Sequence, residues 1–278
     1  MRRFSWPARW VGMLPGVESV APRGAPSDVA PRGAPSDVAP RGAPSDVAPR
    51  GAPNGMAPRG APSDVAPRGA PNGMAPRGAH QDLATPGAVY LTFDDGPGAT
   101  TAALLDVLGA EGARATFFLL GREVERDQGL ARAILAAGHS VGSHGQDHLN
   151  AWRVGSGCAV DDLVRGTEQI EQVLGIRVLR VRPPYGHLLP STLRWARSGG
   201  RVLTLWSVMP GDFLAISRPG GAGHAAVPDD TARRVARIVR PGDIIALHEG
   251  LPHAAETALR TIETVRAALP GVHFAPLT

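Results

Sequence analysis

A nine-residue unit, Val-Ala-Pro-Arg-Gly-Ala-Pro-Ser-Asp, recurs in register from Val20 for about seven copies, varying to Asn-Gly or a leading Met, and decays at Ala79-His80-Gln81. A full copy has two prolines, which lack a backbone donor, and glycine, which raises the entropy cost of ordering; its only large apolar residue is Val or Met. Such a unit cannot bury enough surface to fold, and its period is far below the roughly 20–50 residues of a solenoid repeat. The sequence therefore predicts a disordered, partly polyproline-II linker over residues 20–79, preceded by an N-terminal segment at 1–19. Any packed domain is confined to residues 80–278.

Charge divides along the same line. The chain has a pI of about 10.4 and a formal net charge of +4. Residues 1–79 carry ten Arg against five acids, a net of +5, which leaves residues 80–278 at −1. The folded part has no basic face for nucleic acid, and the arginines of the tail come one per nine residues without clustered aromatics, as in a solvated spacer. Two arginines open the N-terminus as in an export signal, but Pro7, Arg9 and Pro15 interrupt the apolar stretch and no small-x-small cleavage site follows. Export would place the protein in the cell envelope or outside the cell; otherwise it is cytoplasmic. No run reaches the ~20 apolar residues of a membrane span. The single cysteine, Cys158, excludes an intrachain disulfide. Oligomeric state is not readable.

From about Leu83 the texture is that of an α/β domain. Strand-like stretches fall at 88–93, 115–120, 140–143, 178–181, 201–206 and 243–247, and helical periodicity at 100–108, 122–137, 159–174, 190–198, 231–239 and 254–269. Strands separated by helices imply parallel pairing with right-handed crossovers. About 195 residues are fewer than an eight-unit barrel uses, so a reduced or distorted barrel is expected.

Five short strings stand in order along this region: Thr92-Phe93-Asp94-Asp95-Gly96-Pro97, His144-Gly-Gln-Asp-His148, Arg182-Pro-Pro184-Tyr185-Gly186, Trp206 to Phe213, and Leu247-His248. Four of them lie at or just beyond predicted strand C-termini, where the catalytic groups of parallel barrels gather. His144 and His148, four apart with glycines around them, suit one ion across a turn, and a carboxylate of the Asp94-Asp95 pair completes a His2Asp set with a position left for water. Taken singly, the aspartates also suit a helix cap or Asp-Gly-Pro turn, the histidines a surface loop, and Asp212 a Pro-Gly-Asp turn. Water activated by an ion needs a base, for which Asp94 is suited, and the leaving group needs an acid, for which His248 is suited. Arg182 on its rigid turn would keep Asp94 ionised, and Asp212 would favour the His248 imidazolium.

Together the strings resemble the motifs of the polysaccharide deacetylase, or NodB-homology, domain of carbohydrate esterase family 4, over nearly all of residues 85–278. The resemblance implies a distorted (β/α)7 barrel that removes N-acetyl groups from N-acetylglucosamine polymers such as chitin or peptidoglycan with zinc, or with Co2+, Ni2+ or Mn2+. By position it implies Asp95, His144 and His148 as metal ligands, Asp94 as base and His248 as acid. Arg182 would orient Asp94, Asp212 would pair with His248, and the Tyr185 N–H would help bind the oxyanion. Leu247, Phe213 and Pro184 would line the substrate pocket. The chain departs from the family pattern at Gly145, where a hydroxyl residue is usual, at Phe213, where Trp is usual, and at Met209, where many members carry another aspartate. An amidase acting on small amides or cyclic imides, or a catalytically silent glycan binder, are the alternative readings on the same scaffold.

Overall fold

The computed structural model describes residues 17–18, 87–215 and 227–278; the nonapeptide repeat and most of the Gly-rich stretch from Ser217 to Pro228 lie outside them. Eight strands and eight α-helices are described. The strands are β1 (Val17–Glu18), β2 (Ala88–Asp94), β3 (Ala115–Leu119), β4 (Ser140–Ser143), β5 (Arg180–Val181), β6 (Val202–Thr204), β7 (Ile244–His248) and β8 (His273–Phe274). The helices are α1 (Thr101–Ala110), α2 (Gly121–Arg126), α3 (Gln128–Ala136), α4 (Ala151–Val154), α5 (Ser156–Leu174), α6 (Pro190–Ser198), α7 (Val227–Ala236) and α8 (Ala254–Ala268).

Every pairing is parallel, in the order β1-β6-β5-β4-β3-β2-β7, with β8 beside the start of β2. Beyond β6 the chain runs on to Val208, which bridges Ile245 of β7 and so links the β6 side of the sheet to its β7 end. This is the curled, distorted barrel expected from the alternation of strand and helix signals.

β2 is buried along its whole length, and its two faces feed two cores. Val89, Leu91 and Phe93 face the helices and pack with Leu104, Leu108, Ile134, Ile170 and Ile262. Ala88 and Tyr90 face inward with Phe118, Ile244 and Leu277. Each such large side chain, fully withdrawn from water, contributes about 1.5–3 kcal/mol. Alternation along the strand then puts Thr92 and Asp94 on the inner face, in line with Tyr90.

The predicted single helix over 122–137 is two. Asp127, at φ −138° and ψ 81°, leaves helical geometry, and its side chain accepts the Leu130 N–H at 2.9 Å to cap α3. Cap formation at a Ser/Thr/Asp/Asn residue typically contributes about 1 kcal/mol, enough to restart a helix where apolar periodicity alone reads as continuous. Strands β1 and β8, two residues each, carry no pattern long enough to read.

Candidate active site

Parallel register places the two proton-transfer candidates side by side. Asp94, the last residue of β2, pairs with His248, the last residue of β7. On the far side of the sheet β4 ends at Ser143; the His144 N–H then donates to the Leu119 carbonyl at 2.7 Å and the Arg182 N–H to the Ser143 carbonyl at 2.8 Å. Ladder bonds thus continue one residue past the strands and fix where the functional side chains begin.

Arg182 is fully buried and crosses the barrel interior. Its Nη1 donates to Asp94 Oδ1 at 2.6 Å and to the Thr92 hydroxyl at 2.8 Å, Nη2 donates to the Leu205 carbonyl at 3.0 Å, and the guanidinium lies 4.0 Å over the Phe118 ring. Burial alone raises the Asp94 pKa, but the Arg182 charge, with those of His144 and His248 and the Arg182 hydrogen bond, outweighs it and holds the carboxyl below its usual range. With Oδ1 engaged, Oδ2 points toward His144 Nε2, 4.0 Å away.

Asp95 Oδ1 lies 3.4 Å from His148 Nε2 and 3.7 Å from His144 Nε2. It is buried and has no hydrogen-bond partner among the described residues. His144 Nδ1 is 2.6 Å from the Arg182 carbonyl, which assigns that nitrogen the proton and leaves Nε2 with its lone pair toward Asp95. Donors on one tetrahedral zinc, at bonds of about 2.1 Å, stand about 3.4 Å apart. The chemistry and spacing of Asp95, His144 and His148 fit a divalent ion, and the orphaned carboxylate oxygen is what such an ion would satisfy.

Opposite, His248 Nδ1 meets Asp212 Oδ1 at 2.9 Å, and the His248 N–H donates to Asp212 Oδ2 at 2.7 Å. Burial works against the imidazolium, but the hydrogen bond and charge of Asp212, with the charges of Asp94 and Asp95, push the His248 pKa up to about 9. The Phe213 ring stands edge-on to His248 at 4.9 Å.

The site is backed by unusual backbone. Asp95 (φ 76°), His148 (φ 57°) and Tyr185 (φ 59°) are the non-glycine residues with positive φ among those described, and all three belong to the site. Left-handed backbone at such residues costs on the order of 1–3 kcal/mol and persists where surroundings impose it. At Tyr185 the turn sends the Gly186 and His187 N–H groups back to the Pro183 and Pro184 carbonyls, while the Tyr185 N–H has no acceptor among the described residues. Pro184 is buried beneath this turn.

Two residues outside the five strings also hold the site. Asp162, on α5 and 1% exposed, accepts the Gln146 N–H at 3.2 Å and the Asp147 N–H at 2.9 Å, clamping the turn between the two histidines. Its carboxylate explains Gly145: at φ 89° a Cβ there would stand 2.3 Å from Asp162 Oδ2. The missing hydroxyl at Gly145 is thus matched by a carboxylate arriving from a helix. Glu249, 2% exposed, accepts from the Gly98 N–H at 3.3 Å and from the Thr101 hydroxyl, tying the loop after Asp95 to the strand end that bears His248. Burial, with the Asp95 charge, pushes its pKa up to about 8 against the Gly98 hydrogen bond. Its position directly after His248 was the only cue in the sequence.

Leu247 departs from the sequence expectation. It is 1% exposed and packs with Phe93 and Ile245 in the helix-facing core. Successive strand residues point to opposite faces, so an inward His248 turns Leu247 outward, away from the pocket. Met209, the third departure from the resembled pattern, is partly exposed.

The polysaccharide deacetylase family model matches residues 82–202. A chitooligosaccharide deacetylase from Sinorhizobium fredii is 32% identical over 198 residues, covering 67% of this chain and 86% of the relative. A peptidoglycan-N-acetylglucosamine deacetylase from Bacillus cereus is 34% identical over 130 residues, 46% of this chain, and the match spans only 47% of that protein. Among solved structures, the polysaccharide deacetylase Bc1974 from Bacillus cereus superposes with a TM-score of 0.62 at 28% identity, over 69% of this chain and 92% of the other. With a relative 32% identical and matched along 86% of its own length, and a barrel that superposes on a solved deacetylase, this chain belongs to the polysaccharide deacetylase family.

Proposed function

We propose that the protein hydrolyses the N-acetyl groups of N-acetylglucosamine-containing glycan, chitooligosaccharide or peptidoglycan, and releases acetate. Asp95, His144 and His148 would hold a divalent ion. The observation that carries this reading is the buried, unpartnered Asp95 Oδ1 facing two imidazole nitrogens, with Asp94 and His248 on adjacent strand ends beside it. In the same reading residues 80–278 are the catalytic unit and 20–79 a linker.

Bound there, the ion would polarise the acetyl carbonyl and acidify the attacking water. Two imidazoles and one carboxylate suit zinc best, with cobalt, nickel and manganese as competitors. Asp94, kept ionised by Arg182, takes the proton of the water at Oδ2. The new C–O bond forms as the carbonyl electrons move to oxygen, and the Tyr185 N–H donates to that oxyanion. When the C–N bond breaks, His248 gives the proton of Nε2 to the departing amine, while Asp212 holds Nδ1–H and stabilises the imidazolium beforehand. Phe213 and Pro184 wall the pocket that receives the acetyl group.

The test is acetate release from chitin oligomers and from peptidoglycan by the wild type, Asp94→Asn and His248→Ala. Each variant is expected to lose about 10²- to 10⁴-fold with the fold intact. Near-normal turnover by either folded variant would contradict the assignment.

A further inference from the structure

A row of rings leads from the ion site to the surface. By ring centroids His144 and His148 are 5.0 Å apart, His148 and Tyr185 4.7 Å, and Tyr185 and His187 5.4 Å. His187 and Trp152 then stack at 3.7 Å with planes 12° apart. The rings come from three elements: the turn after β4, the turn after β5, and α4. Nothing in the proton transfers above uses the outer two.

Trp152 is 69% exposed and Tyr185 54%, the two highest values among the exposed large hydrophobic side chains described. His187 by contrast is 8% exposed, covered by the indole. Burial lowers the His187 pKa, so a neutral imidazole backs Trp152. The Trp152 backbone N–H donates to Asn150 Oδ1 at 3.1 Å, which fixes the start of α4, while the His187 ring backs the indole. The indole is therefore held from behind and open in front.

An exposed, immobilised aromatic face forfeits burial unless something apolar and flat covers it. The width of the patch discriminates between occupants. A stable protein partner needs on the order of 1,000 Å² or more of buried surface, whereas here single rings follow one another in file away from the ion. A linear chain whose repeating units each present a C–H face matches that shape, and the glycan whose acetyl group reaches the ion is such a chain.

We propose that Trp152, backed by His187 and continued by Tyr185, forms a sugar-binding subsite that stacks on a pyranose unit beyond the one being deacetylated, so that oligomers are taken in preference to short substrates. The subsite rests on the glycan reading of the ion site, and two readouts separate the failure of one from the failure of the other. Full-length wild type, Trp152→Ala and Trp152→Phe are compared on N,N′-diacetylchitobiose and penta-N-acetylchitopentaose for kcat/KM, and by calorimetric titration of the pentamer. The wild type favours the pentamer. Trp152→Ala raises KM and Kd for the pentamer roughly 2- to 12-fold, as loss of one aromatic stacking contact implies, and brings the pentamer-to-dimer ratio of kcat/KM toward one; Trp152→Phe restores part of the preference. A wild-type length ratio and wild-type pentamer affinity in Trp152→Ala would overturn the subsite. If no enzyme form releases acetate, the hydrolase reading fails while calorimetry still decides: weaker pentamer binding by Trp152→Ala upholds the subsite, and equal binding overturns it.

Discussion

Arg182→Met isolates the charge pair on which the base depends. Arg182 is 0% exposed and Asp94 2%, joined at 2.6 Å, so removing the guanidinium leaves an ionised carboxylate in the interior without a counter-ion. Breaking a buried pair from one side typically costs about 3–5 kcal/mol. For a domain of this size that is a fall in Tm of roughly 6–20 °C, at about 2–4 °C per kcal/mol. The pH dependence carries the sign. In the wild type the Asp94 pKa is depressed, so the pair stabilises the fold above the unfolded carboxyl pKa, and that stability is lost as pH falls through the lower folded value. Without Arg182, burial dominates and the folded pKa rises above the unfolded one. The carboxyl then destabilises the fold as pH rises past about 4. The gap between wild type and variant therefore narrows on acidification, and Asp94→Asn in the Arg182→Met background recovers stability, with a coupling of about 2–3 kcal/mol in the double-mutant cycle. Denaturant unfolding at pH 7 and pH 4.5 measures all four proteins. A loss below about 0.5 kcal/mol, as at an ordinary surface site, or a coupling near zero, would refute the argument.

Asp212→Asn removes the carboxylate whose charge and hydrogen bond, against burial, do most to hold the His248 pKa up at about 9. A cation held by Asp95, His144 and His148 would oppose that rise, so the alkaline limb of kcat/KM is expected at or below pH 9 in the wild type and at lower pH in the variant; an unmoved limb would mean His248 is not the acid. Asp162→Ala frees the Asp147 N–H and leaves the Gln146 N–H with the main-chain carbonyl of residue 162 alone. Zinc affinity measured by competition with a chelator is then expected to fall about 10- to 100-fold, the usual effect of losing outer support of a ligand, and unchanged affinity would show that the turn holds itself.

The reach of the sequence is uneven for physical reasons. The placement of Asp94, His144, Arg182 and His248 was legible because each follows a strand-like stretch, and a parallel barrel gathers strand C-termini at one end. The strain at Asp95, His148 and Tyr185 was not, because local preference alone argues against positive φ at these residues, and only tertiary surroundings impose it. Asp162 and Glu249 escaped notice since a buried carboxylate is recognised by the N–H or O–H groups it meets, and those come from elsewhere in the chain. Leu247 is a different case: strict alternation from an inward His248 was enough to turn it outward. The break at Asp127 was written as a cap residue inside an otherwise helical run, and the apolar period hid it.

The most direct test of the ion-assisted deacetylation proposed for Asp94, Asp95, His144, His148 and His248 is a zinc titration of the chelator-stripped protein with acetate release from penta-N-acetylchitopentaose followed at each addition. Acetate release is expected to be absent at the start, to rise in proportion to zinc and to level off at one equivalent, and to stay absent throughout in Asp95→Ala. Full release by the stripped protein, or release by Asp95→Ala equal to that of the wild type, would contradict it.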